Sequence, residues 1–427
     1  MVIKKDLQKL LDAGVIDQST ADSIASYYQH RERDSSSMLL VIFAVLGALL
    51  IGLGVILILA HNWDMLPRSV KTILSFLPLV VGQLLCGYAL LKKADSKTWR
   101  EATAVFLVLA VGASIALVSQ VYHLEGKLSS FLLTWLLLAL PIIYVMRATM
   151  AAVLCVLGTI TYAGMWMEQG SWQQFAISLG LLGLVVPHYI YEMRANWLAN
   201  ALSFLHYLIP VSFLYCLGIL ADSHAVYGMP MFMNAFAILY LLGNTTSMRR
   251  MSLRSNGYVI IGGLGSIVLL LIHSFGYVWD NIHRDGRLLE GLGGVSSIGF
   301  FLTLLLALLG LAYHIWSRTY SRDTPLMPVF LVFILLHLAG ATYPSAATLL
   351  TNIVVAVLAV LSIMAGARRD NLGILNYGLL VMTALLICRF FDVNIPFVIR
   401  GVLFILVGVA FFVANSLIIK KRRIHAQ

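Results

Sequence analysis

Apolar residues in this chain gather into fourteen long runs separated by short polar gaps, at 38–60, 70–91, 102–120, 129–146, 148–166, 173–191, 198–219, 226–243, 257–277, 293–316, 326–342, 345–366, 372–389 and 398–419. About 18–20 apolar residues in helical form cross the roughly 30 Å hydrocarbon layer of a bilayer. The pattern therefore predicts an all-α, polytopic helical bundle of about 14 transmembrane helices occupying residues 38–419. Very short gaps around Arg147 and around Tyr343–Ser345 predict tight hairpins whose helices are adjacent and antiparallel. Trp63, Trp135, Trp166, Trp172, Trp279 and Trp316 mostly fall near run ends, as an interfacial aromatic belt requires.

Residues 1–37 precede the first run and carry a different period. Leu7, Leu10, Leu11 and Val15 or Ile16 recur at helical spacing until Gly14 interrupts them, and Asp17 or Ser19 is placed to cap a second helix through Ile24 and Tyr27. The expectation is a cytoplasmic amphipathic helical hairpin with a polar linker at Arg31–Ser37. It either lies on the membrane surface, the preferred reading, or docks a cytoplasmic protein partner. No cleavable signal peptide is expected, since the first apolar run starts only at about Met38; that run should stay in place as an anchor.

Charge supplies the threading. Lys and Arg collect in every second gap, so that 22 of the 29 basic residues fall on one side. The other seven are Arg68, Lys71, Lys127, Arg284, Arg287, Arg389 and Arg400. Translocating Lys and Arg during insertion is unfavourable, so the rich side is cytoplasmic. Both termini are then cytoplasmic, including the basic tail 420–427. Hydrophobic residues make up 60% and charged residues 11% of the 427, which excludes an ordinary soluble domain. The formal charge of +10 reflects this sidedness and suits an anionic inner leaflet, with no nucleic-acid partner implied. Cys86, Cys155, Cys216 and Cys388 lie in or beside apolar runs, without disulfide or metal spacing.

None of the 19 carboxylates sits in the middle of a run. This argues against a carboxylate-based proton or sodium antiporter and against an intramembrane aspartyl protease. At depth there remain Gln83, His206, Asn234, His337 and Asn352, with Pro210 one turn beyond His206 on the same helix face. A histidine beside a proline-freed carbonyl can form a cavity wall, and imidazole can exchange a proton near neutrality. Polar residues at depth also serve as hydrogen-bonding contacts between helices, and for His206, Gln83, Asn234 and Asn352 this is the commoner use. These six residues are the candidate substrate cavity.

The face expected to lie outside carries His61, Trp63, Asp64, His123, Glu125, Asp222, His224, Asp280, His283, Asp285 and Asp392. His61-x-x-Asp64 and His123-x-Glu125 each offer two ligand types for a divalent metal, but from separate loops without motif spacing, so no metal is assigned. A polar vestibule built from His61, Trp63, Asp64, His123, Glu125, Asp280, His283 and Asp392 is the functional alternative to plain solvated loops. The pair Trp63-Asp64 is echoed by Trp279-Asp280 and Phe391-Asp392, read as interfacial helix caps. Glycines at 47, 52 and 54, at 180 and 183, and at 262, 263 and 265 predict close helix packing. A search for inverted halves shows no trustworthy sequence echo.

The stretch from Lys4 to about Arg147 resembles the N-terminal region of a family of predicted bacterial multi-pass membrane proteins of unknown function. The likeness rests on Leu10-x-x-x-Gly14-x-Ile16, Ala60-His61-Asn62-Trp63-Asp64-x-Leu66-Pro67 and Gln120-Val121-Tyr122-His123-Leu124-x-Gly126, then Trp135 and Pro141. The end from Arg389 to Arg423 is similar to the endings of related chains. Lys127 stands where an acidic residue often follows the glycine. The resemblance implies a bacterial inner-membrane location and carries no activity.

Three functions fit these features. The first is a transporter or flippase of a small or lipid-linked envelope substrate. The second is a non-transporting sensor or envelope-assembly scaffold that docks a partner through residues 1–37. An intramembrane lipid enzyme comes last, for want of a nucleophile or metal set, and no cofactor is expected. The threading has a direct check: single cysteines placed near Arg250 and near His283 are expected to react with an impermeant reagent from opposite sides of sealed cells, and labelling from one side would refute it.

Overall fold

A computed structural model describes residues 11, 17–21, 65–166, 171–195, 200–221, 226–285, 294–320 and 324–392, with isolated positions between 398 and 409. The expected spans 38–60 and 398–419, most of the N-terminal hairpin and the tail 420–427 lie outside the described residues. The chain divides into two units, Met1–Leu74 and Ser75–Gln427. In the first, the Asp17 carboxylate accepts hydrogen bonds from Thr20 N (3.1 Å) and Ser19 Oγ (2.7 Å) at the start of a helical turn through Ala21. Of the two expected caps, Asp17 is the one used there.

Among the described residues every regular element is helical. In chain order they are α1 Arg68–Lys92, α2 Lys97–Tyr122, α3 Leu128–Met146, α4 Thr149–Gly164, α5 Trp172–Ala195, α6 Asn200–Gly218, α7 Gly228–Gly243, α8 Gly257–His273, α9 Gly276–Asp285, α10 Val295–Trp316, α11 Val329–Thr342, α12 Pro344–Arg368 and α13 Leu372–Phe390. Each apolar run that falls on described residues coincides with one of these helices. The exception in the other direction is α9. The expected run 257–277 stops at His273, and the chain turns by 77° into a separate short helix.

Seven helices (α1, α2, α3, α5, α10, α12 and α13) are long and apolar enough to cross a membrane, or eight if the bent pair α8–α9 counts as one span. Three of the others are clearly shorter: α4 and α7 have 16 residues and α11 has 14, which is roughly 21–24 Å of rise. Of these, α4 and α7 are enclosed by several neighbours, while α11 exposes Leu335 and Leu338. α4 packs on α2, α3, α5 and α6, while α7 packs on α8, α10 and α11. The long helices at the flanks instead turn Leu and Val outward: Leu84 of α1 is 69% exposed and Leu380 of α13 is 59% exposed. Apolar side chains facing out along whole helices suit a lipid surround, where the driving force is close packing within the bundle.

Two packed groups result. α1–α6 share one core around Leu136, Ile143, Val156 and Leu205, and α7, α8 and α10–α13 share another around Met233, Leu270, Phe330 and Val355. A third cluster, including Ala163, Leu220 and Met231, joins them. Backbone contact between α7 and α8 requires glycine at 262, where a Cβ would lie 2.6 Å from Phe236 O and Tyr240 N. By contrast Gly180 and Gly183, expected to mediate packing, meet no neighbour within 4 Å among the described residues.

The predicted hairpins are present. Arg147, with a left-handed φ of 48°, and the extended Ala148 turn α3 into α4, and Tyr343 separates α11 from α12. The new helix end at α4 is capped from a distance: the Glu101 carboxylate on α2 accepts from Thr149 N and Met150 N, both at 2.8 Å. A carboxylate on two orphan amide groups satisfies donors that have no intrahelical partner and opposes the helix dipole. Glu101→Ala is expected to lower unfolding stability by about 1–2 kcal/mol, measured as a reduced melting temperature in detergent, with Glu101→Gln intermediate.

Candidate functional site

The break between α8 and α9 organises the site. His273 ends α8, with Nδ1 donating to Leu269 O at 2.9 Å, so Nε2 is left as the second ring position, and it has no partner. After Ser274 and Phe275 the chain enters α9, which buries Trp279 completely. The indole Nε1 donates to His273 O at 2.5 Å, which closes the turn. Trp279 fits a notch in α11 made by Gly340, where any Cβ would collide with the ring. His273, Trp279, Phe333 and His337 form a cluster of rings, with the His273 ring 4.9 Å from Phe333 and the His337 ring 6.3 Å from Trp279. His337 is buried beside the Val226 backbone, yet neither ring nitrogen reaches hydrogen-bond geometry.

The exposed backbone at the break is met by other helices. Asn352 on α12 donates from Nδ2 to Ser274 O (3.0 Å) and Thr348 O (2.8 Å), while its Oδ1 has no partner. Arg389 at the end of α13 donates from Nη2 to Ser274 Oγ at 3.1 Å and pairs through Nη1 with Asp392 at 2.6 Å. Its guanidinium also lies 4.6 Å from the Phe275 ring centre. His283 of α9 hydrogen-bonds through Nδ1 to Ala341 O at 2.6 Å, fastening the far end of α9 to α11. Asp280 is exposed on α9.

His337 and Asn352 from the candidate cavity thus come together with His283 and Asp392 from the candidate vestibule. The other candidates are elsewhere. His206 is clamped between α5 and α6, its Nδ1 sharing a hydrogen bond with the Tyr189 hydroxyl (2.7 Å), and its backbone oxygen abuts Gly257 of α8. Pro210 is buried on the same helix, and neither residue lines the two cavities described here. Asn234 links α7 to α10 through Phe300 O and Thr303 Oγ1, each at 3.5 Å, and its Oδ1 has no partner. Gln83 and Glu125 both line an open groove of about 1030 Å³ between α1, α2 and α3, which also takes in Lys127. His123 caps α2 in the left-handed region at φ 50° and is exposed. His61, Trp63 and Asp64 lie outside the described residues.

Among the described residues no three His, Cys, Asp or Glu side chains converge as metal ligands. The cluster at the break offers something else: uncommitted imidazole nitrogens, one amide oxygen and a guanidinium Nε, all buried. Such a set can accept from, donate to, or pass a proton along a polar guest. Sequence reasoning missed its centre. His273 and Ser274 sat inside an apolar run with no break signal other than Gly276, and Arg389 was one of the seven basic residues against the charge bias. Trp279, expected in an interfacial belt, is instead the key that locks α9.

Residues 8–152 match the model of a family described as "Predicted membrane protein (DUF2157)". No curated protein and no solved structure matches the chain. The matched stretch takes in α1–α3 and the groove holding Gln83 and Glu125, and ends at the start of α4. Family match and outward-facing apolar helices together make this a membrane protein of unknown function. The cluster at the α8–α9 break lies beyond the match.

Replacing one polar residue tests whether its nitrogens are idle. A buried polar group without partners costs about 1–3 kcal/mol, so His337→Phe is expected to melt at the same or a higher temperature than the parent. A lower melting temperature would show that both nitrogens are engaged.

Proposed function

We propose that this chain is a multi-pass protein of the bacterial inner membrane, with about fourteen spans and both termini cytoplasmic, that transports or flips a small polar or lipid-linked envelope substrate. Its substrate passes the α8–α9 break. One observation carries the reading: buried, uncommitted polar atoms of His273, His337 and Asn352 gather where a helix is broken. In a lipid surround such atoms are expensive to keep and mark a path for something polar. Interrupted helices inside a bundle are the usual place where membrane transporters hold their cargo. The 22-to-7 division of basic residues supports the threading, which puts α9 on the outside and Arg249 in the cytoplasm. The N-terminal hairpin of residues 1–37 is then a surface element or a docking point for a cytoplasmic partner, and in the scaffold alternative that docking is the whole function.

The reading is tested without knowing the substrate. With the four native cysteines replaced by serine, Asn352→Cys is expected to react with an impermeant maleimide both in sealed spheroplasts and in inverted vesicles, because a transporter exposes its site to each side in turn. Two-sided labelling should survive deletion of residues 1–35. Reaction from one side only, or from neither, in a protein that keeps its parent melting temperature would overturn the transport reading and favour the scaffold.

A further inference from the structure

A second cavity, of about 500 Å³, opens at the end of the bundle where α8 begins and α12 ends, away from the α8–α9 break. Its mouth carries Arg249, in the short turn after α7, and Arg369, just past α12. The two guanidinium groups act on each other. Partial burial first, and the Arg369 charge second, hold Arg249 below its ordinary pKa. Arg249 is anchored by one bond from Nη2 to Thr319 O at 2.9 Å.

Below the mouth the chemistry changes. Val259 and Leu264 on α8 face Ile374 and Leu380 on α13, one helical face against another. From Asn256 to Leu264 this wall descends roughly 12 Å along the helix axis. Leu264 and Leu380 are both exposed, so the seam opens sideways toward the apolar surround. A cationic head over an apolar slot is the complement of an amphiphile with a negatively charged head. Two like charges held together are stabilised by an anion between them, and the planar guanidinium fork suits phosphate oxygens.

We propose that this cleft binds an anionic phospholipid, with its phosphate between Arg249 and Arg369 and an acyl chain in the α8–α13 seam past Leu264 and Leu380. The site depends neither on the transport reading nor on which side of the membrane the cleft faces. A soluble phosphate compound would use the arginines and leave the apolar seam without purpose.

The full-length protein, delipidated in neutral detergent, provides the test. Its melting temperature is followed against added phosphatidylglycerol, phosphatidylcholine with the same chains, and glycerol 3-phosphate. A ligand bound only by the folded state raises the melting temperature with its concentration. Phosphatidylglycerol is expected to raise it well above the phosphatidylcholine value, and glycerol 3-phosphate to leave it unchanged. The double variant Arg249→Gln/Arg369→Gln should lose the phosphatidylglycerol increment and keep the phosphatidylcholine one. Lys93→Gln/Arg194→Gln, which removes two exposed charges elsewhere, should keep both. Equal increments for the two lipids overturn the proposal even if the double variant proves unstable. So does an increment retained by the double variant, or one lost equally in the control. Protection by glycerol 3-phosphate alone would assign the arginines to a soluble phosphate and also refute the lipid.

Discussion

Hydrocarbon gives a polar atom nothing to bond with, and this chain arranges its helices around that fact. Backbone groups are enclosed in helices, and where a helix ends inside the bundle a neighbour supplies the missing partner. Glu101 reaches across from α2 to the bare amides at the head of α4. Asn352 and Arg389 reach from α12 and α13 to the Ser274 carbonyl and hydroxyl at the α8–α9 break. Asn256 does the same at the head of α8, accepting from Val259 N and donating to Gly243 O. Seen this way, the short interior helices are tolerable because their ends are met by side chains from longer ones.

The cluster at the break is where this provision is least complete among the described residues. Most polar side chains at depth resolve into bonds between helices: His206 with Tyr189, Tyr377 with Gly263 O, and Trp135 with Val108 O. Single buried polar atoms without a partner among the described residues also occur at Trp166, His188 and Asn234, but around His273 and His337 several gather within one closely fitted ring cluster. Polar groups that a bundle keeps dry and unbonded carry a standing cost. That cost is the physical reason to look for function there rather than at the histidine–proline helix.

Much of the fold was legible because hydrophobic run length maps so directly onto helices in a lipid surround. Every described run became a helix, and the tight turn at Arg147 was visible as a one-residue gap between runs. Run length could not reveal α9. Gly276 to Asp285 is amphipathic, and the apolar residues before it continue without a pause, so the bend was hidden inside one run. Glycine spacing was likewise a partial guide. It identified Gly262, but not the α11 notch at Gly340, and it promised contacts at Gly180 and Gly183 that no described residue makes. Which glycine meets a neighbour is decided by helix rotation, which composition does not encode. Site membership was harder still, since Asn352, Arg389 and Ser274 meet only through tertiary packing across 78 and 115 positions of chain.

The seating of Trp279 in its glycine notch has a mechanical corollary. An indole pinned at one end of α9 and an imidazole tied to the Ala341 carbonyl at the other make α9 and α11 a single stiff lever. Prising them apart would leave an indole-sized void in the floor beneath. Any rearrangement that uncovers the histidines must therefore swing the two helices in unison, with its pivot at the Ser274–Phe275 elbow or in the one-residue Tyr343 link to α12.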